Sequence, residues 1–419
     1  MIKKFTLQNG LKVVYENINT IKTISVGVWI GSGSFYENNK NNGISHFIEH
    51  ILFKGTENRT AKEIATEIEA IGGQINAFTA KEYTCYYVRV LDSFLEKALD
   101  ILSDLILHPI LKEEDIEKEK SVIKEEINMG KEDPEEILFN ELNNLIWKGS
   151  SLSYPIAGKL KTVESINKTL ILDHMKKYYI PNNTVIAVAG NFDEDNLINL
   201  INKYFINWEY SNLCNNNKNI LFNKGIKIKN KKIDQTQLCL AFEGIGQSNL
   251  DVYKLILVSN ILGGGMSSRL FQKIREELGL VYSINSFLST YKNTGAFLIY
   301  AGMNPKNLQK VYELIINELE NLIRLGVTED ELLIAKQQVK GAIIFGLENT
   351  SSRMSNIGKN QLLLDKIFDI DEVINIIDNI SINDVFQIIK NVFTKEFSVT
   401  AVGNKKDIDL EIFNKRKIS

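Results

Sequence analysis

The sequence is poor in the features that hold small secreted proteins together. Only three of 419 residues are cysteine, Cys85, Cys214 and Cys239, and none makes a Cys-x-x-Cys pair. A sparse, odd set argues against a disulfide framework and fits a reducing compartment. No run of 18 apolar residues occurs, so no membrane-spanning helix is expected. The opening "MIKKFTLQNGLKVVYEN" has two lysines but no apolar core of signal length, and reads as a strand, an Asn9-Gly10 turn and a second strand. Neither sign of charge dominates: 49 basic and 52 acidic residues leave a net of −3. That balance argues against nucleic acid or a polybasic membrane contact as the main partner. A soluble cytoplasmic protein is the expectation. Histidine is scarce as well, with four in the chain, yet two of them, His46 and His50, lie within one helical turn of each other.

What is present suggests duplication. With 44% hydrophobic residues, the chain can build two or three cored domains. "NTVIAVAGNFDEDNL" (183–197) is echoed by "EFSVTAVGNKKDIDL" (396–410), each a β-rich run ending in Gly-Asn. "EEDIEKEKSVIKEEI" (113–127) pairs with "EDELLIAKQQVKGAI" (329–343), and "EIEAIGGQINAFT" (67–79) with "KIREELGLVYSINSFL" (273–288). Self-similarity at this long period predicts two homologous domains. Strand runs alternate with amphipathic helices in each half. That mixture predicts an α+β fold, with helices on one face of a mostly antiparallel sheet. The polar, Asn- and Lys-rich stretch 211–232 reads as a linker between domains at 1–210 and 233–419.

The chemistry gathers in the first half. On a helix turning about 100° per residue, Ile44, Phe47, Ile48, Ile51 and Leu52 share one side of "GISHFIEHILFKGT" (43–56). His46, Glu49 and His50 share the other. Imidazoles four residues apart stand one turn apart on one face, which suits two nitrogen ligands of a tetrahedral zinc. Glu49 lies between them, placed to deprotonate water. The plain alternative is a helix with a solvated polar side. A third ligand is offered by the helix at 113–128, where Glu119 and Glu126 fall within the arc of Ile116, Val122, Ile123 and Ile127 while Glu125 points nearly opposite. Carboxylates on an apolar face are costly unless paired or metal-bound. The alternative for both is a helix edge reaching solvent or pairing with Lys120 or Lys124. In the second half Glu119 aligns with Ala335, Glu126 with Ala342, and the His-x-x-Glu-His segment with "SNILG" (259–263). The second copy keeps the apolar pattern without these residues, so the fold does not need them.

His-x-x-Glu-His followed by a glutamate 76 residues beyond His50 resembles the pitrilysin and mitochondrial processing peptidase family, the inverzincin zinc metallopeptidases. The resemblance implies one zinc per chain on His46, His50 and Glu126, Glu49 as general base, and Glu119 supporting the site. "GGGMSSRLFQKIREELGLVYSI" (263–284) is similar to the family's glycine-rich segment and its Arg-Glu-x-x-Gly-Leu-x-Tyr run. There Arg275 and Tyr282 are implied to contact the substrate backbone and the developing oxyanion. Taken singly, Arg275 also reads as a partner of Glu276 or Glu277, and Tyr282 as a core aromatic. Gly263-Gly264-Gly265 lacks the lysine of a phosphate loop. "GGQINAFTAKEYTCYY" (72–87) resembles the segment in which Asn76, Ala77, Phe78 and Thr79 form an edge strand that an extended peptide extends.

The chain length matches the short-chain branch, in which two chains close around a chamber and Arg275 and Tyr282 act on the partner's site. A homodimeric zinc endopeptidase acting on extended peptides is therefore expected. The alternative is a non-catalytic or hetero-oligomeric scaffold subunit. His108 and His174 read as structural or solvated, and Cys85 as packing.

Overall fold

The computed structural model describes residues 2–212, 220–414 and 416–417. Cys214 lies outside them, as does part of the expected linker. The described residues form two α+β units, each built on one sheet.

The first sheet comprises β1 (Ile2–Thr6), β2 (Lys12–Asn17), β3 (Thr23–Ile30), β4 (Gln74–Thr79), β5 (Thr84–Leu91) and β6 (Thr184–Gly190). Their order is β1-β2-β6-β3-β5-β4, antiparallel except for the β2–β6 pair. The second comprises β7 (Ile226–Asn230), β8 (Thr236–Glu243), β9 (Val281–Thr290), β10 (Gly295–Met303) and β11 (Ser398–Gly403). Its order is β7-β11-β8-β10-β9, with β7–β11 the parallel pair. Remove β1 and the two orders coincide, which is the duplication seen in the sequence. The repeated Gly190 and Gly403 end β6 and β11, strands in matching places.

Strand alternation explains the layers. Val13, Tyr15, Ile24, Val26, Val28, Tyr86, Val88, Ile186 and Val188 face the main core of the first unit, under helices that include Ile44–Leu52 and Leu95–Leu107. The intervening Val14, Trp29, Cys85, Val185, Ala187 and Ala189 face the other way. They are covered by Met354 and Ile357 of a single helix, Thr350–Leu364. Cys85 is buried there as packing. The second unit mirrors this arrangement: helix Pro134–Ile146 packs on β8 and β11, with Phe139 edge-on to Phe287.

The units are therefore not contiguous in sequence. The first holds the described residues of 1–129, 154–217 and 346–369, the second those of 130–153, 218–345 and 370–419. Segments 130–153 and 346–369 each lie with the other half's sheet, where the division at 211–232 keeps them with their own. Residues 226–230, inside that expected linker, form β7. The "IKIKN" alternation is that of a half-buried edge strand, with isoleucines inward and lysines outward.

Candidate metal centre

Helix Ile44–Leu52 buries Ile44, Phe47, Ile48, Ile51 and Leu52 completely or nearly so, and turns His46, Glu49 and His50 away from that core. Helix Glu113–Gly130 runs past it, fixed by buried Ile116 and Ile123. The crossing brings the distal glutamate to the histidines. His46 Nε2 lies 3.9 Å from Glu126 Oε2, and His50 Nε2 lies 3.8 Å from Glu126 Oε1. The two rings sit 4.6 Å apart, centre to centre. One donor atom from each of His46, His50 and Glu126 falls within 4.8 Å of the others. Ligand atoms on one tetrahedral zinc stand about 3.4 Å apart. The three need only a small contraction to hold one ion, and the nitrogen–oxygen donor set suits zinc.

The surroundings orient the donors. Glu119, 2% exposed, accepts a 3.1 Å hydrogen bond at Nδ1 of His50, which leaves Nε2 directed at Glu126. The ammonium of Lys54 pairs with the other Glu119 oxygen. Burial works against the Glu119 carboxylate, but His50 and Lys54 together hold its pKa below the usual value. For His50, burial lowers the pKa, yet the Glu119 hydrogen bond and the charges of Glu126 and Glu49 outweigh it and the net shift is upward. His46 has no such partner, and burial, helped by His50, pushes it down to about 4. Its Nδ1 is buried and finds no hydrogen-bond partner among the described residues. A neutral imidazole keeps one ring lone pair for a metal, and the nitrogen that faces Glu126 is Nε2.

Glu49 is not one of the three donors but lies near enough to interact with the charges of His50 and Glu126. Thr79 Oγ1, at the end of β4, donates to Glu49 Oε2 at 2.6 Å. Burial raises the Glu49 pKa, against the Thr79 bond and the His50 charge. A carboxylate with raised basicity beside a metal site is suited to take a proton from water.

His46, His50, Glu126, Glu119, Glu49 and Thr79 thus meet in the first unit. Asn76, Ala77 and Phe78 are on the same strand as Thr79, and among the described residues β4 is the sheet edge, paired with β5 alone. The Ala77 N–H donates to the Asn76 side-chain oxygen, 2.8 Å away. Arg275 and Tyr282 lie in the second unit. Arg275 is exposed on a π-helical segment, Phe271–Glu277, with its guanidinium 4.8 Å from the Phe271 ring centre, and forms no ion pair with Glu276 or Glu277. Tyr282 begins β9 and is 75% exposed, so it is not a core aromatic. In the second copy Ala335 is buried and Ala342 exposed, and Ser259 of the histidine-equivalent helix bonds Ser286. His174 is buried against Ser32, and His108 is exposed. Lys54 has no role in the sequence reading, and Thr79 has a different one. Lys54 carries a weak signal, four residues after His50 on the same face. Thr79 was read only for the edge strand.

Residues 12–159 match the profile of the insulinase family (peptidase family M16), and residues 165–339 that of the M16 inactive domain. An uncharacterized zinc protease of Bacillus subtilis, YmxG, is 41% identical over 96% of this chain and 98% of its own length. One from Rickettsia felis is 37% identical, over 95% and 96%. Among solved structures, a protease from Helicobacter pylori superposes with a TM-score of 0.88 at 23% identity, covering 96% of this chain and 99% of that one. A peptidase M16 inactive domain protein from Pseudomonas fluorescens gives 0.90 at 18%, covering 96% and 98%.

Proposed function

The chain belongs to the insulinase (M16) family of peptidases, and from that premise we propose that it is a zinc-dependent endopeptidase. The observation that carries the reading is the meeting of His46, His50 and Glu126 around one point, with Glu49 beside them. His46 offers a neutral imidazole nitrogen, His50 one that a bound cation would free of its proton, and Glu126 a carboxylate. A zinc bound by these three would supply a Lewis acid for the scissile carbonyl and would lower the pKa of a water molecule toward neutral. Glu49 takes the proton of that water and passes it to the leaving amine. Thr79, by bonding one Glu49 oxygen, aims the other. Glu119 and Lys54 hold His50 in the tautomer that presents Nε2.

The substrate in this reading is an extended peptide that adds to the free edge of β4. Such pairing uses main-chain hydrogen bonds and tolerates many side chains. Asn76, Ala77, Phe78 and Thr79 run along that edge and end at the Glu49 hydrogen bond. Arg275 and Tyr282 supply a cation and a phenol to the developing oxyanion. Their exposure, and the lack of a carboxylate partner for Arg275 among the described residues, support contact with something outside their own unit. We assign that contact to the first unit of a second copy in a homodimer that closes over the peptide.

Two measurements test the reading. The purified protein should carry about one zinc per chain by elemental analysis. Glu49→Gln should keep the zinc and lose at least about a hundredfold in cleavage of a quenched peptide. Undiminished cleavage by Glu49→Gln contradicts the assigned base, and a protein without zinc or cleavage is a scaffold subunit.

A further inference from the structure

Helix Ile44–Leu52 starts without a local cap. Its N-cap residue, Gly43, has no side chain and sits at φ 99°, where a Cβ would run into Gly158 and the Ala157 carbonyl. The first N–H groups of a helix still need acceptors. Ile44 N finds the Asn41 carbonyl, while Ser45 N and the amide of Gly43 just before the helix are served by Glu37, which is only 2% exposed. Its Oε2 accepts from Gly43 N at 2.7 Å and from Asn42 Nδ2 at 2.9 Å, and its Oε1 accepts from Ser45 N at 2.9 Å. The surrounding turn is held on the far side as well. Thr162 Oγ1 donates to the Asn42 carbonyl at 2.6 Å, and Asn42 Nδ2 also reaches the Pro155 carbonyl. Lys81 donates to the Tyr154 carbonyl in the same region, and its charge interacts with Glu37.

A buried carboxylate is an expensive cap. A side-chain cap is ruled out at Gly43 itself, where a Cβ would meet Gly158 and Ala157, so the acceptor comes from elsewhere in the chain. What Glu37 adds is fixed geometry. Two oxygens gripped by three donors leave the first turn one position and one rotation. Ser45, the residue it grips, adjoins His46. His46 is in the first turn and His50 in the second, so any rotation of this turn moves both imidazoles relative to Glu126, which stands on another helix. We infer that Glu37 is a positioning residue for the metal centre: it sets the register of the His46/His50 helix against Glu126.

The inference rests on the zinc reading above. Glu37→Gln is the informative change, because every orientation of the carboxamide turns an NH2 toward an N–H donor. Thr162→Val loosens the same turn from the opposite side without touching a buried charge. Met354→Ala is the control for simple destabilisation, since Met354 packs on the other face of the same sheet. Zinc affinity is read by competition with a chromogenic chelator, and stability by thermal unfolding of the metal-free proteins. Glu37→Gln should weaken zinc about tenfold or more, and Thr162→Val less but measurably, as expected for residues that orient ligands. Met354→Ala should lower the melting temperature and leave zinc affinity within about twofold. If Glu37→Gln binds zinc as the control does, the positioning role is overturned while the zinc reading stands. If Glu37→Gln does not fold, Thr162→Val decides on the same comparison. A wild-type protein that takes up no zinc overturns the zinc reading itself, and this inference falls with it.

Discussion

Asp104 gathers the turn that follows the His46/His50 helix through side chains alone. Thr56 Oγ1, Asn58 Nδ2 and Arg59 Nη1 all donate to its carboxylate, at 2.6, 2.7 and 2.7 Å. Burial opposes the charge, but these three donors hold the Asp104 pKa below the ordinary value. A carboxyl with a lowered folded pKa stabilises the fold fully above its unfolded pKa, near 4. That contribution is lost as the pH falls through the lowered folded value. Asp104→Asn should therefore cost roughly 1.5–3 kcal/mol at pH 7, the range for hydrogen bonds to a charged group. The gap between mutant and wild type should narrow as the pH drops below about 4. Urea unfolding at pH 7, 5 and 3.5 checks this, and a gap that stays constant would show that charge is not what Asp104 contributes. At this scale the sequence was legible where residues share a helix face. Spacing alone puts His46, Glu49 and His50 on one face and marks Glu126 and Glu119 as charges in an apolar arc, while the choice of Glu126 as the third ligand comes from family likeness. Glu37, Thr79 and Lys54 were not recovered in these roles. Glu37 reaches the site from an irregular segment and Thr79 from a strand end, and no periodicity ties such positions to a helix far along the chain.

The elements show the same division between pattern and partner. The "IKIKN" stretch has the alternation of an edge strand, but its surroundings are so polar that composition alone reads it as linker. Composition averages over the very alternation that makes a strand. Strand β4 was legible as an edge only through family likeness. Along it every other side chain is half covered, which fits an edge backed by the core on one side. The Ala77 N–H is taken by the Asn76 side chain, which marks an amide available for exchange when a peptide arrives. Proline at an edge strand is tolerated where its nitrogen faces outward. Ala77→Pro should thus leave the melting temperature within a few degrees of wild type. It should raise KM for a peptide substrate by roughly fivefold, the worth of one main-chain hydrogen bond, with kcat little changed. Steady-state kinetics with Glu49 intact checks it. An unaltered KM would place the peptide elsewhere.

For the whole molecule, the duplicated strand order was foreshadowed by the repeated Gly-Asn runs, but the exchange of helices was not. The pattern of Thr350–Leu364 says that one side is apolar; it does not say which sheet that side covers. In the folded chain it covers the first sheet, where Trp29 Nε1 meets Met354 Sδ at 3.3 Å and Ser25 bonds Thr350 at 2.8 Å. Arg353 reaches Glu16 of β2 at 2.7 Å, and Lys12 reaches Asp365. Helix Pro134–Ile146 does the reciprocal service on the second sheet, where Lys229 pairs with Glu141. The two halves of the sequence are therefore not the two units of the fold. A chain ending at residue 232 would lack its own cover, and Val14, Trp29, Cys85, Val185, Ala187 and Ala189 would face water. A contiguous apolar patch of this kind drives aggregation or loose packing. It would also carry Pro134–Ile146 with no sheet to rest on. Residues 1–232 and 233–419, expressed separately, should each lack a cooperative thermal transition and bind a hydrophobic dye. Co-expressed, they should associate and regain a near-ultraviolet circular dichroism signal, because every packing contact is restored and one peptide bond is missing. A first half that melts cooperatively alone would mean that the exchanged helix decorates the sheet without being needed to close it.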